Sequence, residues 1–101
     1  MNDTIDAFVT ADAAIHDQLS SLPGVVSEIA WDDATRTYRL DNRNLIVTTT
    51  IDDDTGDYTG WEWTQQVDGV ISGAGVTGLV GANEACTRHG QFLARGTHWR
   101  K

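Results

Sequence analysis

The dipeptide Asp68-Gly69 constrains this chain more than any other feature. A type I′ turn needs positive φ at both central residues, and Asp-Gly is among the few pairs that supply it cheaply. Before the turn, Tyr58 to Val67 alternates, with Trp61, Trp63, Gln65 and Val67 on one face. After it, Val70 to Val76 follows directly. Closing the turn pairs Val67 with Val70, Gln65 with Ser72, Trp63 with Ala74 and Trp61 with Val76, so each indole faces a small or medium side chain. In this register Gly73 and Gly75 point the other way, or permit a bulge.

The same stretch spells Gly73-Ala74-Gly75-Val76-Thr77-Gly78, a match to the dinucleotide-binding fingerprint. That fingerprint requires a buried parallel strand before the glycines and an acidic residue about twenty positions on. Here only Val70-Ile71-Ser72 precedes the glycines, no acid follows Glu84, and six residues remain after Arg95. The hairpin reading therefore takes these residues. A helix is expected over 78–95, with Leu79, Ala82, Cys86, His89 and Leu93 as its stripe, widened by Ala85 and Phe92.

The rest of the chain fits around that hairpin. Ile5, Phe8, Ala11, Ile15, Leu19 and Leu22 recur at helical spacing, which predicts an amphipathic helix over 4–22. Asp3 or Thr4 can cap it, Pro23-Gly24 stops it, and His16 falls at its solvent edge. Period-two alternation then predicts strands over 25–31, 37–41 and 45–51, with turns at Asp32-Asp33-Ala34-Thr35 and Asn42-Arg43. In the third strand, Leu45, Val47, Thr49 and Ile51 alternate with Ile46, Thr48 and Thr50. A threonine-lined second face suits an antiparallel sheet with one side open, and Ile46, Thr48 and Thr50 become candidates for partner contact.

With 101 residues, this is a single-domain chain. It carries 15 acidic and 7 basic side chains, a formal net charge of −8. Such a balance disfavours nucleic acid and favours a protein partner with a basic surface. Cys86 is the lone cysteine, the start Met1-Asn2-Asp3-Thr4 lacks a signal-peptide pattern, and no apolar run could span a bilayer. A cytoplasmic location and no membrane association are expected, either in a cell or as a virus-encoded protein acting inside one.

Asp52-Asp53-Asp54-Thr55-Gly56-Asp57 invites a calcium reading, but the spacing fails. Counted from Asp52, glycine falls at the fifth position rather than the sixth, and Trp63 stands where a bidentate glutamate is needed. A hairpin turn explains the run, and Asp52, Asp53, Asp54 and Asp57 are the first candidates for meeting a basic partner. Cys86 and His89, three apart, could share a helix face, yet they lack an orienting third group for catalysis or further ligands for zinc. No catalytic residue, metal or cofactor is assigned, and an enzyme is not expected. In the tail over 96–101, Trp99 and Arg100 mix an aromatic with a cation and join the partner-binding candidates.

The run Trp61-x-Trp63, Asp68-Gly69, Gly73 and Glu84-Ala85 resembles small accessory proteins of actinobacterial phages, over residues 58–95. The resemblance implies an αβββ-type core with a C-terminal helix and a host-takeover or anti-defence role. It implies no catalytic residues.

Together these readings predict an α+β fold. Two layers are expected, an antiparallel sheet of four or five strands over 25–76 and both helices on one face. Trp31, Tyr38, Val47, Trp61 and Trp63 should share the core. The expected function is a non-enzymatic, acidic protein-binding module, an inhibitor in the phage setting. The alternative is a homo-oligomeric accessory protein that associates through the exposed sheet face or an edge strand.

Overall fold

A computed structural model describes residues 3–30 and 34–96, with side chains from residue 5 onward. The expectations for Trp31, for the Asp32-Asp33 part of its turn, for capping by Asp3 or Thr4, and for Trp99 and Arg100 lie outside the residues described.

Helix α1 spans Asp3–Ser20 and is followed by β1 (Val26–Ile29), β2 (Thr35–Leu40), β3 (Arg43–Ile51), β4 (Tyr58–Val67) and β5 (Val70–Gly78), then α2 (Ala82–Arg95). The strands form one antiparallel meander in the order β1-β2-β3-β4-β5. Both helices cover the same face, so the fold is the expected two-layer α+β arrangement with five strands. Phe8, Ile15 and Leu19 from α1 meet Tyr38, Leu45, Val47, Trp61 and Trp63 from the sheet. Ala85, Cys86, Phe92 and Leu93 from α2 complete that core.

Three of the four hairpin turns of the meander lie wholly within the described residues. Asp41 takes a φ of 57° between the paired residues Leu40 and Arg43, as the β2–β3 turn requires. Asp68 and Gly69 have φ of 54° and 80°, the positive pair expected of a type I′ turn. Between β3 and β4, Gly56 sits at φ 76° and Asp52 organises the loop. Its side-chain Oδ1 accepts from the amides of Asp54 at 2.8 Å and Thr55 at 3.3 Å.

The register beyond Asp68-Gly69 corrects the expectation. Val67 pairs with Val70 and Gln66 with Ile71, but Gln65 then pairs with Gly73 across a bulge that leaves Ser72 over. Trp63 thus faces Gly75, and Trp61 faces Thr77. The glycines lie on the helix-covered face beside the indoles, and Ala74 and Val76 turn outward. The extra residue at Ser72 exchanges the inward and outward positions of all that follows in β5, because side chains alternate with period two.

The helix limits also shift. Helix α1 ends at Ser20, because the chain turns through Leu22 and Gly24 (φ 83°) into β1. Helix α2 begins at Ala82 instead of Gly78, since β5 runs through Gly78. Leu79 therefore joins the connection, 37% exposed, instead of the helical stripe. At the other end of α2, Gly96 closes the helix at φ 70° with its N–H on the Phe92 carbonyl. Arg43 reaches from β3 and donates to the Leu93 carbonyl through Nε at 3.1 Å and a terminal nitrogen at 2.7 Å. That places a cation at the negative end of the helix.

Candidate functional site

Two clefts and one open face carry the chemistry of this surface. The first cleft, about 280 Å³, lies where α1 meets the distal end of the β3–β4 hairpin. Its walls are Phe8, Val9, Ile51 and Tyr58, with Ala34, Thr49 and the carboxylate-bearing Asp12. Phe8 is sandwiched between the rings of Tyr58 and Trp61, each centroid 4.6 Å away and nearly parallel. The stack begins in the core and ends at the surface, where Tyr58 is 42% exposed.

Asp12 is held in a buried polar network. Arg36 grips both its oxygens, and the Trp61 indole N–H donates to Oδ1 at 2.8 Å. Arg36 is 8% exposed, so this carboxylate is what offsets its buried charge. The acidic loop 52–57 springs from the cleft, because Ile51 and Tyr58 are both its flanks and cleft walls. Asp53, Asp54 and Asp57 stand exposed in that loop, as predicted, whereas Asp52 spends its side chain on the turn. The loop that carries the predicted acids is thus flanked by two walls of a cleft that also holds Phe8, Val9 and Asp12, which the sequence reading did not connect. Asp12 follows Phe8 by one helical turn, and that spacing is the signal that was available.

The second feature is the sheet face that no helix covers. Ile46, Thr48 and Thr50 lie on it, as expected, but the threonines are already paired. Thr48 bonds Thr35 at 3.2 Å, and Thr50 bonds Thr59 at 2.8 Å. Glu28 and Arg39 make an ion pair there at 2.7 Å. The exposed apolar groups of this face are Val26, Ile71 and Val76, the last 72% exposed.

The second cleft, about 290 Å³, lies between β5 and α2. Gly73, Gly75 and Thr77 form its floor, and Trp63, Gln65, Arg88 and His89 its inner wall. A Cβ placed on Gly75 would touch nothing within 4 Å. The His89 ring stacks on Trp63 at 4.5 Å and is hydrogen-bonded through Nδ1 to Gln65 Nε2 at 2.6 Å. The Trp63 indole N–H is buried with no hydrogen-bond acceptor.

The suggested Cys86–His89 pairing divides between two environments. Cys86 is buried against α1, with its thiol 3.9 Å from the Ile15 carbonyl, and burial pushes its pKa up to about 11. A thiol held protonated is a poor nucleophile. His16, expected at a solvent edge, is half-buried and bonded to the Tyr38 hydroxyl at 2.8 Å. Burial is the main reason that the Tyr38 pKa rises to about 12. Among the described residues, no three His, Cys, Asp or Glu side chains gather as a metal site, and no helix is long and apolar enough to cross a membrane.

No known protein family matches this chain, and no curated protein or solved structure shows significant similarity to it.

Proposed function

We propose that this domain is a non-enzymatic protein-binding module that docks a basic partner at the acidic β3–β4 tip. The observation that carries this reading is the juxtaposition of three exposed acids, Asp53, Asp54 and Asp57, with the Phe8–Tyr58 cleft. A partner lysine or arginine could lay its aliphatic stem along Val9 and Ile51 and its cation over Tyr58. The loop acids would raise the encounter rate and disfavour acidic competitors. In the phage setting suggested by the Trp-x-Trp hairpin, such capture would be inhibitory.

An arginine-containing basic peptide, titrated into labelled protein and followed by amide NMR, tests the proposal. Shifts should concentrate at Val9, Thr49, Ile51 and Tyr58, weaken in the Asp53→Asn, Asp54→Asn, Asp57→Asn variant, and fade at about 0.5 M salt. Shifts scattered over the surface, or none at low salt, would refute it.

A second reading, homo-oligomerisation, rests on the exposed Val26, Ile71 and Val76 of the uncovered sheet face. Light scattering separates the two, because only this one requires a stable dimer of the isolated protein.

A further inference from the structure

We infer that β5 is a second docking site, one that accepts an extended strand from another protein and reads an acidic side chain through the cleft beneath α2. Among the described residues, β5 pairs only with β4, so its outer edge is open. Every second N–H and C=O along such an edge points away from the sheet and awaits a strand. Natural edges are usually guarded by charge, lysine or proline. From Val70 to Asn83 this chain has none of these, although more than a fifth of its residues are charged. The bulge at Ser72 interrupts only the hairpin end of β5 and leaves Gly73 to Gly78 in regular register.

The identity of the occupant follows from the cleft. A strand added beside β5 would alternate its side chains between the open face and the helix-covered face. On the covered side, Gly73 and Gly75 put no side chain in the way, so a long residue from the neighbour can lean across them. A second copy paired through its own β5 offers no such residue, because in antiparallel register its inward positions are Gly73, Gly75 and Thr77. The cleft would then stay empty on both copies. A foreign strand carrying a long side chain fills it.

The lining selects the chemistry of that side chain. Arg88, His89, Gln65 and Thr77 all carry N–H or O–H groups, and no acidic residue lines the cleft. In a protein of net charge −8 this is a local reversal. Arg88 and His89 are each engaged with other groups of the protein, which holds them in place before a partner arrives. A glutamate carboxylate suits this set, because charge-assisted bonds to guanidinium and imidazole are the strongest hydrogen bonds available to it. This site is separate from the acidic tip, and the two surfaces take partners of opposite charge.

Fluorescence anisotropy with labelled seven-residue peptides of alternating threonine and valine tests the inference on the full chain. The central residue is glutamate in one peptide, glutamine in the second and lysine in the third. The glutamate peptide should bind about tenfold more tightly than the lysine peptide, the scale of one charge-assisted contact. Arg88→Gln should bring the three peptides close together. Gly75→Val should keep the melting temperature, because its Cβ meets open space, yet lose the glutamate preference by filling the cleft. Equal binding of the three peptides to the native chain, or an unchanged preference in Gly75→Val, would overturn the acidic-side-chain assignment. Absence of binding by any peptide would overturn strand addition itself.

Discussion

The Trp61 indole N–H donates to Oδ1 of Asp12 at 2.8 Å, although 49 residues separate them in the chain. The same carboxylate neutralises Arg36, so one side chain of α1 satisfies a donor from β4 and a cation from β2. Removing either end should not cost the same. Asp12→Ala strands a buried guanidinium and should destabilise the domain by about 3–5 kcal/mol. Trp61→Phe keeps most of the ring stack and forfeits one charge-assisted bond, about 1.5–3 kcal/mol. Urea unfolding of both variants checks the order, and equal losses would mean that Arg36 has found another acceptor.

Gly60 and Gly75 make an opposed pair. A Cβ on Gly60 would stand 2.1 Å from the Thr77 carbonyl oxygen, with φ at 154°. Gly60→Ala should therefore leave little folded protein, visible as loss of the near-ultraviolet circular dichroism of the tryptophans. Gly75→Ala meets open space and gains strand propensity, so its melting temperature should match or exceed the native value.

Alkali should find two weak points. The folded state holds the Cys86 and Tyr38 protons more tightly than the unfolded chain does, with pKa values raised from 9.0 and 10.0 to about 11 and about 12. Stability is thus full below about pH 9 and falls as pH rises through the folded values, by on the order of 2 kcal/mol for each group. Cys86→Ala should remove the lower part of that window and leave the upper part. Thermal melts across the alkaline range measure both. At about pH 8 the native thiol should resist iodoacetamide and react only on unfolding.

Arg43 caps α2 from the sheet, so Arg43→Ala should frustrate the helix end and cost about 1–3 kcal/mol. Faster amide exchange confined to residues near Leu93 would identify the lost contact.

Within the acidic loop, the four aspartates should separate into two classes. Asp52→Ala removes an acceptor for two amides and should lower stability by about 1 kcal/mol, whereas Asp53→Ala should leave stability within about 0.5 kcal/mol. Thermal melts of the two variants decide this.

Periodicity carried the architecture. The helical stripe through Phe8, Ile15 and Leu19, the alternation about Leu45 and Val47, and the Asp68-Gly69 turn each report a local preference that tertiary packing reinforces. The chain's alternation did not reveal Ser72 as a bulge, because one extra residue shifts the phase of a strand without a local residue preference that marks it. The candidate surfaces were legible only as pieces. The exposed acids and Thr48 were visible, but Asp12 meets Tyr58 only after α1 crosses β4, and Arg88 meets Gly75 only after the slip. Long-range pairs of this kind leave no periodic trace in a single sequence.

The slip at Ser72 has a consequence for how the surface can change. The face on which Ala74 and Val76 stand is a matter of phase and not of composition. A regular ladder with the same residues would bury Val76 and show bare glycine to water. The exposed Val76 and the hollow on the opposite face therefore arise together from one supernumerary residue. A shift of one position would turn Val76 inward and fill the hollow.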